Sequence, residues 1–356
     1  MPLIIEGRVP SRWEEKEKSR PAVSIDRYAK RAEGISLALI NNMPDPALED
    51  TELQFFDLLD MASGDTPVFL KLFSLSGIPR TDRGQRHLNS FYFGCDDLWN
   101  SCFDGVIITG TEPRQPNLQD EPYWGALTEV FDWAQENTAT TVLSCLAAHA
   151  SVLHSDGVGR HRLPDKRFGV FDSTKHSNHP LTNHIANRIR FPHSRWNEVR
   201  AEALTFCGYS VLTQSAEAGV DLFVKRKKKS LFVHFQGHPE YSERTLLKEY
   251  RRDIRRFLAG ERETYPTMPA GYFDAAAAQC LNDFRMRAMS GRPEEMGALF
   301  PEASVVSSLQ NTWQSCAVQV YRNWLQYAVT IKTAPQSLTA VMVRAETELR
   351  TVVPAK

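Results

Sequence analysis

Cys145 ends the apolar run Thr141-Val142-Leu143-Ser144, and well downstream stands Gly237-His238-Pro239-Glu240-Tyr241. A thiolate can attack a carbonyl, an imidazole can move the proton, and a carboxylate two residues past the histidine can hold its ring in the productive tautomer. Those three groups together are the chemistry of acyl transfer through a thioester. Taken singly, each has a plainer reading: a cysteine in an apolar strand is ordinarily inert packing, and His-Pro-Glu is an ordinary strand end. The catalytic reading therefore requires a fold that delivers Cys145 and His238 to one place.

The surrounding pattern predicts such a fold. Apolar runs at 35–40, 68–75, 103–110, 141–144 and 231–236 read as strands, with helices between them and an Ala-rich helix starting after Cys145. Alternation of strand and helix predicts an α/β protein with a doubly wound, mostly parallel, flavodoxin-like sheet, whose ligands sit at the carboxyl ends of the strands. Cys145 falls at such an end, under the positive end of the following helix. If 231–236 is central, His238 reaches the same edge. Thr51 with Gln54 forms a capping box for a helix carrying Leu53, Phe56 and Leu59, and Ser242 serves as N-cap for a helix that stops at Gly260.

The later chain differs in pattern. Residues 211–216 and 220–225 read as short strands of a β-hairpin region, and Lys225-Arg226-Lys227-Lys228-Lys229, between Leu222-Phe223-Val224 and Leu231-Phe232-Val233, as a solvated hairpin tip. Residues 1–34 read as a polar N-terminal arm, 35–260 as the catalytic domain and 261–356 as a helical C-terminal extension. That extension has a Gly/Pro break at 291–293 and an aromatic helix through Trp313, Tyr321, Trp324 and Tyr327.

The 42 Lys and Arg against 43 Asp and Glu leave a formal charge of −1, which argues against nucleic acid or a membrane surface as partner and favours small-molecule substrates. The six cysteines show no CxxC pair, and the N-terminus has no signal-peptide pattern, so a cytoplasmic location is expected. No apolar run is long enough for a spanning helix. His176, His179, His184 and His193 lack acidic or thiolate companions at ligand spacing, and no metal is expected.

The order Asn42-Met43-Pro44, Thr51-Glu52-Leu53-Gln54-Phe55, Phe103-Asp104-Gly105, Thr109-Gly110, Tyr123-Trp124 and Cys145 carries a resemblance. It continues through Leu163-Pro164-Asp165-Lys166, Pro192-His193-Ser194-Arg195, Glu217-Ala218-Gly219-Val220 and Gly237 to Tyr241. The chain resembles the homoserine O-acyltransferase family over most of residues 35–335. That resemblance implies a class I glutamine-amidotransferase-like fold, a homodimer, and transfer of a succinyl or acetyl group from CoA to homoserine in methionine synthesis, with serine or a related hydroxy amino acid open as acceptor because one methylene is worth only about 1 to 3 kcal/mol of discrimination. By position it implies Cys145 as nucleophile, His238 as proton acceptor and Glu240 as its partner. It also implies Lys166, Ser194 and Arg252 as substrate contacts. The backbone N–H at Leu146 would stabilise the oxyanion, and acyl-CoA would be a co-substrate with no bound cofactor.

This chain departs from the family's pattern at three places. Asp45-Pro46-Ala47-Leu48 stands where the family has lysines after Met-Pro, and Leu146-Ala147-Ala148-His149 replaces a glycine-and-glutamine pattern. Arg114 occupies the loop position that is glycine in succinyl-using and glutamate in acetyl-using relatives. Two other classes stay open at this level: an amidotransferase using the same three groups on glutamine, and an idle ligand-binding relative. If Arg114 favours the free carboxylate of a succinyl group, Arg114→Glu should shift the ratio of succinyl to acetyl transfer toward acetyl. An unchanged donor ratio would refute that role.

Overall fold

Apolar alternation builds the sheet. In β2 (Ile35–Ile40), Ile35, Leu37 and Leu39 face one layer, Ala38 and Ile40 face the other, and all five are fully buried. The computed structural model describes residues 3–18, 34–290 and 296–334. The other parallel strands are β1 (Leu3–Ile5), β3 (Val68–Phe73), β4 (Gly105–Ile108) and β5 (Thr140–Ser144). Between them run α1 (Ser11–Lys18), α2 (Asp45–Ser63), α3 (Asp82–Phe91), α4 (Cys95–Asn100) and α5 (Trp124–Asn137), and α6 (Leu146–Asp156) follows β5.

The chain then forms β6 (His161–Lys175), β7 (Arg188–Glu198), α7 (Ala201–Phe206), β8 (Ser210–Ser215), β9 (Gly219–Lys227) and β10 (Ser230–Phe235). Helices α8 (Thr245–Leu258), α9 (Ala275–Ser290), α10 (Glu302–Val306) and α11 (Gln314–Thr333) complete it. The sheet order is β1-β3-β2-β4-β5-β10-β9-β8-β6-β7. Every pairing from β1 to β10 is parallel, and those beyond β10 are antiparallel.

Helices cover both faces, so the doubly wound expectation holds. One apolar layer joins Phe55 and Phe56 of α2, Tyr250 and Ile254 of α8, and Trp324 of α11. The other joins Leu98, Leu127, Phe131 and Ala147. Each large side chain withdrawn from water contributes roughly 1.5–3 kcal/mol. Trp13, fully buried, packs edge-on against Phe56 at 5.4 Å, and so fixes the first helix to the same layer. Tyr321 stacks on Phe235 at 6.0 Å, and the Trp324 indole N–H donates to Thr140 Oγ1 at 2.9 Å. Thus α11 braces the two strands that carry the site.

Several expectations are corrected. Helix α2 starts at Asp45, not at a Thr51 cap, and places Thr51 in its interior. Pro44 leads into the first turn, where Asp45 accepts from Arg80 at 3.1 Å and from the Thr81 N–H at 2.7 Å. Helix α8 begins at Thr245, and Ser242 spends its hydroxyl on the Thr245 side chain at 3.0 Å. The long β6–β7 ribbon lies outside the strands expected from the sequence, because Pro164 and a register shift between Arg162 and Arg167 break its alternation. The basic run does form a hairpin, but only its tip is solvated. Lys225 and Lys227 point to one face and pair with Asp156 at 2.6 and 2.5 Å. The Gly/Pro break at 291–293 lies outside the described residues.

Two core histidines tie the fold to pH. Burial pushes His149 and His234 down to about 3, with Gln236 and backbone groups opposing only in part. Both rings are neutral in the fold and take up a proton on unfolding below their ordinary pKa. Their contribution to stability is complete above about pH 6.5 and is lost as pH falls toward 3, by ~1.4 kcal/mol per unit for each ring. His234→Phe should therefore flatten the fall in unfolding free energy between pH 6 and 5 by about that slope. Urea titrations at both pH values check it, and a parallel dependence in the two proteins would count against it.

Candidate active site

The turn from β5 into α6 is strained at one residue. Cys145 has φ 50° and ψ −105°, a conformation that costs a non-glycine residue about 1–3 kcal/mol. Its N–H donates to Phe235 O at 2.8 Å, and its carbonyl accepts from the His149 N–H at 3.2 Å. Leu146 opens α6, where an N–H has no partner within the helix. Gly110, just past β4, lies directly against it: a Cβ there would stand 2.9 Å from Leu146 Cβ and 3.0 Å from Leu146 N. The absent side chain leaves that N–H accessible.

The base arrives by strand pairing. β10 runs parallel to β5 with Phe235 opposite Ser144, so the residues after each strand emerge at the same edge. His238 is held by its own N–H, which donates to Pro192 O at 2.7 Å. Its Nδ1 meets Glu240 Oε1 at 2.8 Å, and Ser144 Oγ donates to the same oxygen at 3.2 Å. The ring stacks on Tyr241 at 4.2 Å, and the Trp313 indole N–H holds the Tyr241 carbonyl at 2.9 Å.

Burial opposes charge on His238, yet the Glu240 carboxylate, the Cys145 sulfur and hydrogen bonds to both outweigh it and hold its pKa well above the ordinary histidine range. These neighbours favour the protonated form of the ring. A second network lies behind it. His193 Nε2 faces Asp221 Oδ1 at 3.4 Å, its Nδ1 accepts from Arg195 Nε at 3.3 Å, and Asp221 also accepts from the Gly237 N–H at 3.2 Å. Arg195 is buried and otherwise donates to the carbonyls of Asn197 and Ala218. Burial lowers its pKa, and Cys145 leads the charges opposing that shift.

Lys166, Ser194 and Arg252 meet in a second cluster around α8. Lys166 Nζ lies 3.2 Å from Glu249 and 3.1 Å from Asp253, above the Phe168 ring. Ser194 Oγ donates to Glu249, whose other oxygen accepts from Tyr241 Oη at 2.8 Å. Arg252 pairs with Asp253 at 3.1 Å and reaches Glu249 at 3.9 Å. Burial works against ionisation of both acids, but Lys166 and the other donors prevail and keep each below its usual range. Tyr241 touches both His238 and Glu249, and so joins the two clusters.

Arg114 lies elsewhere, exposed on the loop after β4. That loop walls a cavity of about 500 Å³ together with Pro44, Pro79, Glu121, Tyr123 and Arg256. Cys145 is not among the lining residues. Buried Glu121 shapes the loop by accepting the N–H groups of Arg114 and Gln115. Asp45, where the family's lysines were expected, is tied to Arg80 and Thr81. His149 is a buried neutral ring bonded to Gln236 at 2.9 Å.

Sequence reasoning missed Glu249 and Asp253. Their spacing of four residues, with Arg252 between, puts all three on neighbouring helix positions, but a charged helix reads as a solvated face. Asp221 was missed for a different reason: its partners His193 and Thr213 lie on β7 and β8. The structure describes no group of three or more His, Cys, Asp or Glu side chains arranged to hold a metal among the described residues.

A half-parallel α/β sheet with a cysteine, a histidine and a carboxylate gathered at one strand edge places the chain among α/β proteins with a cysteine–histidine–glutamate site. The family model for homoserine O-succinyltransferase matches residues 14–335, and the chain belongs to that family. It is an acyltransferase that acts on homoserine. A homoserine O-succinyltransferase of Rhodopseudomonas palustris is 43% identical over 302 residues, 85% of this chain and 90% of that one. One of Methylococcus capsulatus is 39% identical, covering 91% and 92% of the two chains. Among solved structures, a glutamine amidotransferase of Thermotoga maritima matches 83% of this chain and 98% of its own at 11% identity and a TM-score of 0.44.

The position of Gly110 gives a direct test of the turn. Gly110→Ala should lower kcat/KM for acyl transfer by roughly 10²-fold, the size of losing one oxyanion donor. Thermal unfolding should move by only a few degrees. Full activity in the folded variant would exclude a role for the Leu146 N–H.

Proposed function

We propose that the chain transfers a succinyl group from succinyl-CoA to the hydroxyl of homoserine, by a ping-pong route through a thioester on Cys145. The observation that carries this reading is the joining of Cys145, His238 and Glu240 at one edge of the sheet in a member of this family. The Cys145 thiolate attacks the thioester carbonyl, and the oxyanion forms against the Leu146 N–H. The carbon–sulfur bond to CoA breaks, and the His238 imidazolium gives its proton to the departing thiolate. The homoserine hydroxyl then attacks the acyl-cysteine carbonyl while neutral His238 takes its proton. The bond to Cys145 Sγ breaks, and thiolate and imidazolium are restored.

The second cluster supports an amino acid as acceptor. Two cations, Lys166 and Arg252, stand against two anions, Glu249 and Asp253, a balance that suits a zwitterion. Arg252, still half-exposed, offers a fork to the α-carboxylate, and Glu249 with Ser194 offers acceptors to the α-ammonium. Tyr241 then sets the hydroxyl end toward His238. On this reading residues 35–260 form the catalytic domain. Arg114, at the mouth of the cavity, favours an anionic donor.

Intact-protein mass spectrometry tests the route. Mixed with succinyl-CoA alone, the protein should gain one succinyl mass, Cys145→Ala should gain none, and homoserine should discharge the adduct. Folded wild-type protein that turns over without ever carrying the adduct would rule out the thioester.

A further inference from the structure

Three successive N–H groups carry the chain from β10 to His238, and each finds a different acceptor. The Gln236 N–H donates to Asp221 O at 2.8 Å, the Gly237 N–H to Asp221 Oδ1 at 3.2 Å, and the His238 N–H to Pro192 O at 2.7 Å. The first is a main-chain bond to β9, and the last is a main-chain bond to β7. Asp221 makes the step between them, its carboxylate standing in for a main-chain acceptor.

That carboxylate is fully buried on β9, and a buried acid is costly unless donors surround it. Thr213 Oγ1 donates to Oδ2 at 3.3 Å, and His193 Nε2 faces Oδ1 at 3.4 Å. Arg195 sets the tautomer of that histidine. Its Nε–H can only donate and takes His193 Nδ1 as acceptor at 3.3 Å, so the proton of the neutral ring sits on Nε2, toward the acid. Gly237 closes the socket: a Cβ there would stand 2.6 Å from Asp221 Oδ1 and 3.0 Å from both His193 Nε2 and Pro192 O. The peptide that leads into His238 is thus gripped by β9 and β7 together.

We propose that Asp221 is a positioning residue for the reaction: it fixes the Gly237–His238 peptide and so sets the imidazole against Cys145 and Glu240. The inference rests on the reading of His238 as the base that serves Cys145. Glu240 holds the ring by its Nδ1, whereas Asp221 holds the backbone from which the ring projects. The other groups that face His238 are Cys145 from the end of β5, His193 from β7 and Tyr241 stacked on the ring. Substitution of Asp221 leaves each of them in the chain.

Iodoacetamide alkylation of Cys145, followed by peptide mass from pH 5 to 9, reads the placement of the imidazole without any acyl donor. Values of kcat and KM for acyl transfer are measured beside it. Asp221→Ala leaves the Gly237 N–H without its acceptor and should lower kcat about 10- to 100-fold with little change in KM for homoserine. Its alkylation profile should move up toward that of a free thiol, about 8.5, while exposed Cys102 reacts as before. Asp221→Asn keeps an oxygen for Gly237 and should recover most of both losses. Gly237→Ala crowds the same socket from the other side; it should reproduce the Asp221→Ala profile, and it decides the matter if that variant does not fold. Wild-type kcat and profile in folded Asp221→Ala or in Gly237→Ala would overturn the proposal. So would an Asp221→Asn as impaired as Asp221→Ala, which would make the charge of the acid, not its hydrogen bond, the working part. A profile unchanged in His238→Ala would defeat the reading of His238 itself, whereas dependence on His238 without dependence on Asp221 defeats this proposal alone.

Discussion

The parallel pairing of β5 with β10 is the constraint on which the site depends. Thr140 to Ser144 lie in register with Leu231 to Phe235, and the Cys145 N–H closes the ladder onto the Phe235 carbonyl at 2.8 Å. Both chains leave the sheet in the same direction at the same height, so residues 93 apart in sequence become neighbours. A shift of one residue would turn every side chain on β10 to the opposite face and carry His238 away from the sulfur. Register here is pinned by burial on both faces, by Trp324 on Thr140 and by Tyr321 on Phe235.

Around that pairing the molecule arranges charge in compensated groups. His238 is held well above the ordinary histidine range because Glu240 and Cys145 outweigh the cost of burial. Glu249 and Asp253 stay ionised because Lys166 and Arg252 face them. Arg195 is an exception: buried, it spends its hydrogen bonds on the carbonyls of Asn197 and Ala218 and on His193.

Much of the parallel sheet was legible in the sequence. Runs such as Ile35 to Ile40 and Leu231 to Gln236 are apolar on both faces, which few arrangements other than a covered parallel strand satisfy. Cys145, His238 and Glu240 were legible because each falls at the end of such a run. Helix starts were less so. The first turn of α2 is fixed by Asp45 meeting Arg80, a contact across 35 residues that no local cap announces. The β6–β7 ribbon was hidden by its prolines and its irregular register.

What the sequence determined by itself was therefore the local and the repetitive: strand and helix period, the strand-end cysteine, and a histidine with its carboxylate two residues away. What only the tertiary structure decided was company. Glu249 and Asp253 join one charged cluster because α8 lies across Lys166 on β6 and Ser194 on β7. The physical reason is range. Backbone preference and hydrophobic period act over a few residues and are written in order along the chain. Charge and hydrogen bonding act across the few ångströms between elements, and which residues lie that close is settled only when the layers pack.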